Sequence, residues 1–423
     1  MNDNINIFKN LIDIKNQKKI TIENFDYENN SSFCMAPWIH LNISPNGNVP
    51  ICCNCLNTKE SIFGNINDNS LDNIWNSDVA KNIRLKMLRG EKIKECSSCY
   101  DREKIDRYAS MRNSFNDKYY HKYKENVKNT KFNGEVEKTN IVYFDFRLSN
   151  KCNFSCRTCG PHYSSSWEKK LNANIPKIKD TRKILDKTKE LIFNNSLEEI
   201  YFAGGETLIM DEHWEIIDYL IEQKKFNILI RYNTNLSVLN YKGNSFIEKI
   251  KLFNNVIVSP SCDSLGIKGE YIRTGFSNNN FIKNINLIKE NKINYYITSV
   301  MSFFNIIHIY DFFNDLKNNE ISYNNIHFII LTNTDLYSIY NLPPKVLEKT
   351  LEGFNKIIES DFMSQNKKEY FKKLYHSLEK ESIFDERKHL SRINYIKYQD
   401  SLNKLKFKDC LPELYSLIED DFN

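Results

Sequence analysis

The sequence predicts an α/β fold: strands of a parallel sheet alternating with helices, a smaller α+β unit ahead of them and a helical tail behind. Three observations carry this reading. From Ile141 onward, β-prone runs recur at 141–146, 199–203, 226–232, 255–260, 295–301 and 326–331, with helical patterns between most of them at 181–193, 214–222, 281–290 and 309–316. Nine of the eleven cysteines fall before residue 160 in short groups, which points to metal binding more than to disulfides, and six of the nine precede the first of these strands. Beyond Pro343 the sequence reads as helices without a ligand cluster, and the lone Cys410 there reads as a core residue. The expected units are a polar arm (1–32), a cysteine-bearing module (33–125), a connector (126–140), the β/α unit (141–335) and the helical region (336–423).

The arm is rich in Asn and gives no periodic signal. In the module, Ile39, Leu41 and Ile43 alternate, Pro45-Asn46-Gly47-Asn48 forms a turn, and Val49 to Ile51 follows, so a β-hairpin is expected. That hairpin would bring Cys34 and Cys52 together. A helix over 71–88 would bury Ile74, Trp75, Ile83 and Met87 and stop at Gly90. Cys96 and Cys99 open the next segment, helical over 100–124, and complete a four-thiol set that suits zinc as well as an iron–sulfur cluster. Cys53 and Cys55 are spare and read as buried thiols, with an alternative ligand as the other reading.

The first strand of the β/α unit delivers the chain into a loop holding Cys152, Cys156 and Cys159, spaced C-x3-C-x2-C. Three close thiolates suit an iron–sulfur cube better than a zinc knot, which wants four closed ligands in paired C-x2-C units. Three cysteines on a four-iron cube leave one iron open to a small molecule. The second strand ends in Gly204-Gly205-Glu206, where glycines admit close backbone approach and the carboxylate can accept from an ammonium group. Strand ends matter because parallel β/α folds bind ligands at the carboxyl ends of their strands. Cys262, at the end of the fourth strand, is either a small buried thiol or a hydrogen-atom donor.

With 41% hydrophobic and 27% charged residues the chain reads as globular. Its net charge of +5, spread along the sequence, is too small to imply nucleic acid, and Lys169–Lys170 and Lys367–Lys368 read as solvated helix faces. No run approaches a membrane span, the start MNDNINIFKN lacks a charged-then-apolar leader, and a cytoplasmic location is expected.

The triplet after a first strand, followed by the GGE strand end, resembles the radical S-adenosylmethionine (radical SAM) enzymes. The resemblance implies a partial (β/α)6 barrel and a [4Fe–4S] cluster on Cys152, Cys156 and Cys159 that binds S-adenosylmethionine. It also implies oxygen sensitivity, and reductive cleavage of that cosubstrate to a 5′-deoxyadenosyl radical that takes hydrogen from a substrate. On the same ground the expected cofactor pocket comprises Gly204, Gly205 and Glu206 for the amino group and Arg273 for the methionyl carboxylate. Asn233, Asn235, Ser261, Asp263 and Asn305 join it at later strand ends. Thr158 stands where family members usually carry an aromatic residue. Cys34-x12-Gly47-x4-Cys52, the Gly64–Ile66 and LDNIWNS stretches, and the later C-x2-C resemble the SPASM/twitch auxiliary module, here placed before the barrel instead of after it. That implies a second [4Fe–4S] cluster on Cys34, Cys52, Cys96 and Cys99. It further implies an electron donor of the flavodoxin or ferredoxin kind, and a peptide or protein substrate that is oxidised, crosslinked or epimerised. Dehydrogenation of a small metabolite and a non-catalytic iron–sulfur or zinc scaffold are the other readings.

Overall fold

The computed structural model describes residues 27–105, 107, 110–331 and 336–422. Most of the expected N-terminal arm, residues 1–26, lies outside the described residues. Eleven strands of two kinds organise the rest of the described residues. The strands that build the parallel sheet are β1 (His40–Ile43), β4 (Tyr143–Phe146), β5 (Glu199–Phe202), β6 (Leu229–Thr234) and β9 (Asn255–Pro260), in the spatial order β1-β4-β5-β6-β9. Two parallel bridges, Val258 to Tyr295 and Ser261 to Thr298, carry the arc onward to β10 (Ile297–Met301) and β11 (Ile326–Ile330), which pair parallel with each other. β2 (Asn48–Pro50) and β3 (Ile62–Asn65) form an antiparallel ribbon in the module, and β7 (Asn240–Tyr241) with β8 (Asn244–Ser245) a small hairpin beside the barrel. The result is the open β/α barrel the alternation predicts, with helices Thr181–Phe193, Asp211–Glu222, Asn278–Glu290 and Ile309–Asn318 on its outer face.

The hairpin expectation is corrected. The turn forms, with the Gly47 amide donating to Ser44 (2.8 Å) and φ of 87° at Gly47, but the two strands it joins take other partners. β1 pairs parallel with β4, His40 opposite Tyr143 through Ile43 opposite Phe146, while β2 pairs with β3. The reason is burial: all four residues of β1 are buried, so it is an interior strand and not the half-exposed one that alternation suggests. The module therefore donates a strand to the barrel. The expected helix over 71–88 is also two helices, Leu71–Trp75 and Asp78–Leu88, because Ser77 leaves helical geometry to cap the second by accepting from the Ala80 amide.

Helix Met111–Lys128 packs across the amino-terminal ends of the strands. Phe115 stacks on Tyr143 (5.2 Å between centroids), and Tyr119 donates to the buried carboxylate of Glu199, the first residue of β5, at 2.7 Å. Behind the barrel, helices Pro344–Glu359, Gln365–Glu381 and Glu386–Ser401 bury Phe354, Phe371 and Ile396. Lys367, expected on a solvated face, donates to the Ile326 carbonyl at 2.5 Å and lies over Phe328.

Candidate active site

The loop after β4 is held from three sides. Ser165 and Ser166, at the start of helix Ser165–Lys170, donate to the Cys152 carbonyl (3.1 and 2.8 Å), and Trp167 donates to that of Cys156 (2.8 Å). On the second side the amides of Ser155 and Arg157 bond to Thr274 and Ile272. On the third side stands the C-terminal region. Arg157 is fully buried, lies 2.7 Å from Asp400 in an ion pair without hydrogen-bond alignment, donates to Leu405 (3.1 Å) and stacks on Tyr271 at 4.0 Å. The Gln399 side chain returns a bond to the Arg157 carbonyl (3.0 Å).

The glycines of Gly204-Gly205-Glu206 bring β5 against the start of this loop. The Glu206 amide donates to Lys151 (2.7 Å), and a Cβ on Gly205 would lie 2.2 Å from the Lys151 carbonyl oxygen, so only glycine fits there.

These contacts place Cys152, Cys156 and Cys159 on the wall of a cavity of about 210 Å³ at the strand ends. Gly204, Gly205, Asn233, Asn235, Ser261 and Arg273 line the same cavity, as does Thr158. Burial pushes the Cys156 thiol up to about 12 and raises Cys152 and Cys159 as well.

Four of the expected residues stand behind the cavity wall instead of on it. The Glu206 carboxylate is fully buried and does not line the cavity: it accepts from Thr234 (2.6 Å), the Asn235 amide (2.6 Å) and the Leu208 amide (3.1 Å). Those three donors fill three of the roughly four acceptor positions of a carboxylate, and Glu206 pins β5 to β6. Asp263 lies behind the wall, accepting from Arg273 (3.0 Å) and the Val300 amide (2.8 Å). Asn305 is buried too, donating to the Asp263 and Val300 carbonyls (both 2.9 Å). Both orient Arg273 and the strand ends. Cys262 is fully buried and its thiol donates to Ser264 (3.3 Å), away from the cavity, so the structure gives it no access to a substrate radical.

In the module, Cys34, Cys52, Cys96 and Cys99 line one small apolar cavity, and Cys55 lines it with them. The Cys55 thiol donates to the Cys52 carbonyl at 3.0 Å. Cys53 points elsewhere: it lines a third and larger cavity of about 850 Å³, the lumen of the barrel. The three cavities adjoin. The lumen shares Asn233, Thr298 and Ile329 with the triplet's cavity, and Asn54 and Met111 with the module's cysteine cage. Cys53 and Arg157 are the residues sequence reasoning left without a role; only tertiary contacts distinguish them.

Comparison with known proteins gives two family matches. Residues 34–100 match SPASM, described as an iron-sulfur cluster-binding domain, and residues 146–316 match the radical SAM superfamily. No curated protein matches the chain. Among solved structures the chain is similar to native anSMEcpe with bound AdoMet, at 20% identity over 52% of this chain and 60% of that one, TM-score 0.39. It is also similar to SuiB of Streptococcus suis, at 18% identity over 67% of this chain and 64% of that one, TM-score 0.36. SuiB bound to its precursor peptide SuiA matches at 18% identity over 43% and 37% of the two chains, TM-score 0.31. In each case the chain spans less than two thirds of its neighbour's length. Among the described residues, no helix is long and apolar enough to cross a membrane.

Proposed function

We propose that this chain, in which a SPASM match at residues 34–100 precedes a radical SAM match at 146–316, is a radical SAM enzyme using S-adenosylmethionine and [4Fe–4S] clusters, and that it abstracts hydrogen from a peptide or protein side chain or Cα held in the barrel lumen. The observation that carries this is the chain of adjoining cavities. The triplet's cavity shares Asn233, Thr298 and Ile329 with the lumen, and the lumen shares Asn54 and Met111 with the module's cysteine cage.

When bound, the first cluster and its cosubstrate would supply a 5′-deoxyadenosyl radical, with one electron from a flavodoxin- or ferredoxin-type donor. Cys152, Cys156 and Cys159 would hold that cluster. Gly204 and Gly205 would present bare backbone to the cosubstrate, and Arg273, fixed by Asp263, would offer its guanidinium to a carboxylate. Asn233, Asn235 and Ser261 face the same space with groups suited to hydroxyls. Cys34, Cys52, Cys96 and Cys99 would hold the second cluster, which would supply a place for an electron from the oxidised substrate. Such oxygen-sensitive centres fit a cytoplasmic location.

The lumen volume of about 850 Å³ also accommodates a whole small molecule, so dehydrogenation of a polar metabolite is the second reading. The functional reading is tested by replacing Cys152, Cys156 and Cys159 together with alanine. After anaerobic reconstitution and reduction the wild type should release 5′-deoxyadenosine, and the triple variant should not, while keeping the iron of the module. Undiminished cleavage by the variant would refute the assignment.

A further inference from the structure

The walls of the lumen are unequally charged. Arg102, Lys118, Arg147 and Arg231 line it, against the single lining carboxylate of Glu199. Arg147 is spoken for: its fork closes on the buried Asp145 behind the wall, at 2.6 and 3.1 Å. Glu199 serves Lys118, the Tyr119 hydroxyl (2.7 Å) and one nitrogen of Arg231 (3.4 Å). The other terminal nitrogen of Arg231 donates to the Tyr296 hydroxyl at 3.1 Å. Arg102 makes no ion pair or hydrogen bond among the described residues, and its Nε is buried without an acceptor. Among the described residues, four cations thus face two carboxylates, an excess of positive charge on the walls of the lumen.

Arg102 and Arg231 come from different parts of the molecule and line the same lumen. Arg102 sits on helix Ser97–Ile105, three residues beyond Cys99, and Arg231 on β6. His327 of β11 lines the lumen with them. Burial, then the charges of Arg102, Lys367 and Arg231, hold its pKa down, which shows that both arginines act on this one side chain. A guanidinium fork with an empty donor beside a second, half-satisfied fork is an arrangement that a planar carboxylate bridges with charge-assisted bonds. An excess of one sign in a cleft also concentrates ligands of the other.

We propose that the lumen takes an acidic substrate, a peptide segment whose Asp or Glu carboxylate is held between Arg102 and Arg231. This rests on the reading of the lumen as the substrate chamber. The anchor lies on the side of the lumen next to the cysteine cage, so the residue to be oxidised is a neighbour of the acidic one, presented toward Asn233 and Thr298 at the triplet's end.

The test uses the reconstituted holoenzyme, loaded anaerobically with S-adenosylmethionine, on an array of short random-sequence peptides. The expected result is enrichment of Asp or Glu at one position, with affinity falling about ten- to hundredfold when that residue is changed to its amide. The acidic peptide's affinity should also fall with added salt while that of the amide form does not, a measurement that needs no variant. Arg102→Gln removes a side chain with no partner among the described residues, and should cut the preference for acid over amide about tenfold, leaving the share owed to Arg231. No acidic enrichment, or a preference undiminished by Arg102→Gln, overturns the proposal. Free glutarate binding as tightly as the selected peptides overturns the peptide assignment in favour of a small dicarboxylate. A preparation that cleaves no S-adenosylmethionine defeats the functional reading itself, whereas one that cleaves it yet ignores charge defeats only this inference.

Discussion

Arg157→Met should loosen the triplet loop without touching a cysteine. The guanidinium is fully buried against Asp400, whose side chain is 15% exposed, so the substitution removes one partner of a shielded pair. Such removals cost about 3–5 kcal/mol. Asp400 retains the Tyr271 hydroxyl (3.0 Å) and the Phe407 amide (2.7 Å), which places the electrostatic loss at the lower end, about 3 kcal/mol. Losing the stack on Tyr271 adds about 1 kcal/mol. A total near 4 kcal/mol is a large share of the roughly 5–15 kcal/mol that keeps a domain folded, so the chain should still fold but open this loop more often. The assay is urea unfolding of the anaerobic protein, together with the rate at which bound iron passes to a chelator. Adding Asp400→Leu to Arg157→Met should recover about 2 kcal/mol, because the orphaned carboxylate goes with it. A single variant that loses less than about 1 kcal/mol and releases iron no faster than wild type would refute the clamp.

Gly205→Ala should cost about 1–3 kcal/mol and impair cluster assembly, since its Cβ must displace the Lys151 carbonyl 2.2 Å away; a variant with wild-type stability and full iron content would show that β5 does not brace the loop. Acid should destabilise the fold through His40 and His213, which burial holds near 4 and 3, below the ordinary 6.5. Groups depressed in this way contribute stability that is present above the unfolded value and lost as pH falls toward the folded one. Two of them predict a loss of about 3–4 kcal/mol between pH 7 and pH 5, and equal urea midpoints at the two pH values would refute it.

What the sequence discloses here is what local pattern controls. The strand runs at 199–203 and 255–260 and the helix over 181–193 are written in period and capping, and match β5, β9 and Thr181–Phe193 closely. The C-x3-C-x2-C and GGE motifs mark their cavity because spacing alone confines their residues to strand ends. Glu206 misleads for a physical reason: a carboxylate beside two glycines looks like a ligand, and the donors that satisfy it come from Thr234 and Asn235, on another strand. Asp263 and Cys262 stand in the same polar strand end as Ser261, yet only Ser261 faces the cavity. The role of Arg157 depends on Asp400, 243 positions away, and no local pattern announces it. β1 looked amphipathic because its second face is covered by helix Met111–Lys128, a contact invisible before the chain is folded.

The loan of β1 to the barrel has consequences for how this molecule can be cut and how it must be made. β4 is buried along its whole length and hydrogen-bonds to β1 on one side and β5 on the other. Severing the chain in the connector and discarding the front would leave Tyr143–Phe146 as a bare apolar edge, a template for self-association. A truncated barrel should therefore precipitate, not merely lose a centre. During synthesis the same pairing spans about a hundred residues, so the front must remain available until the barrel's first strand emerges, and its closure belongs among the slower steps of folding.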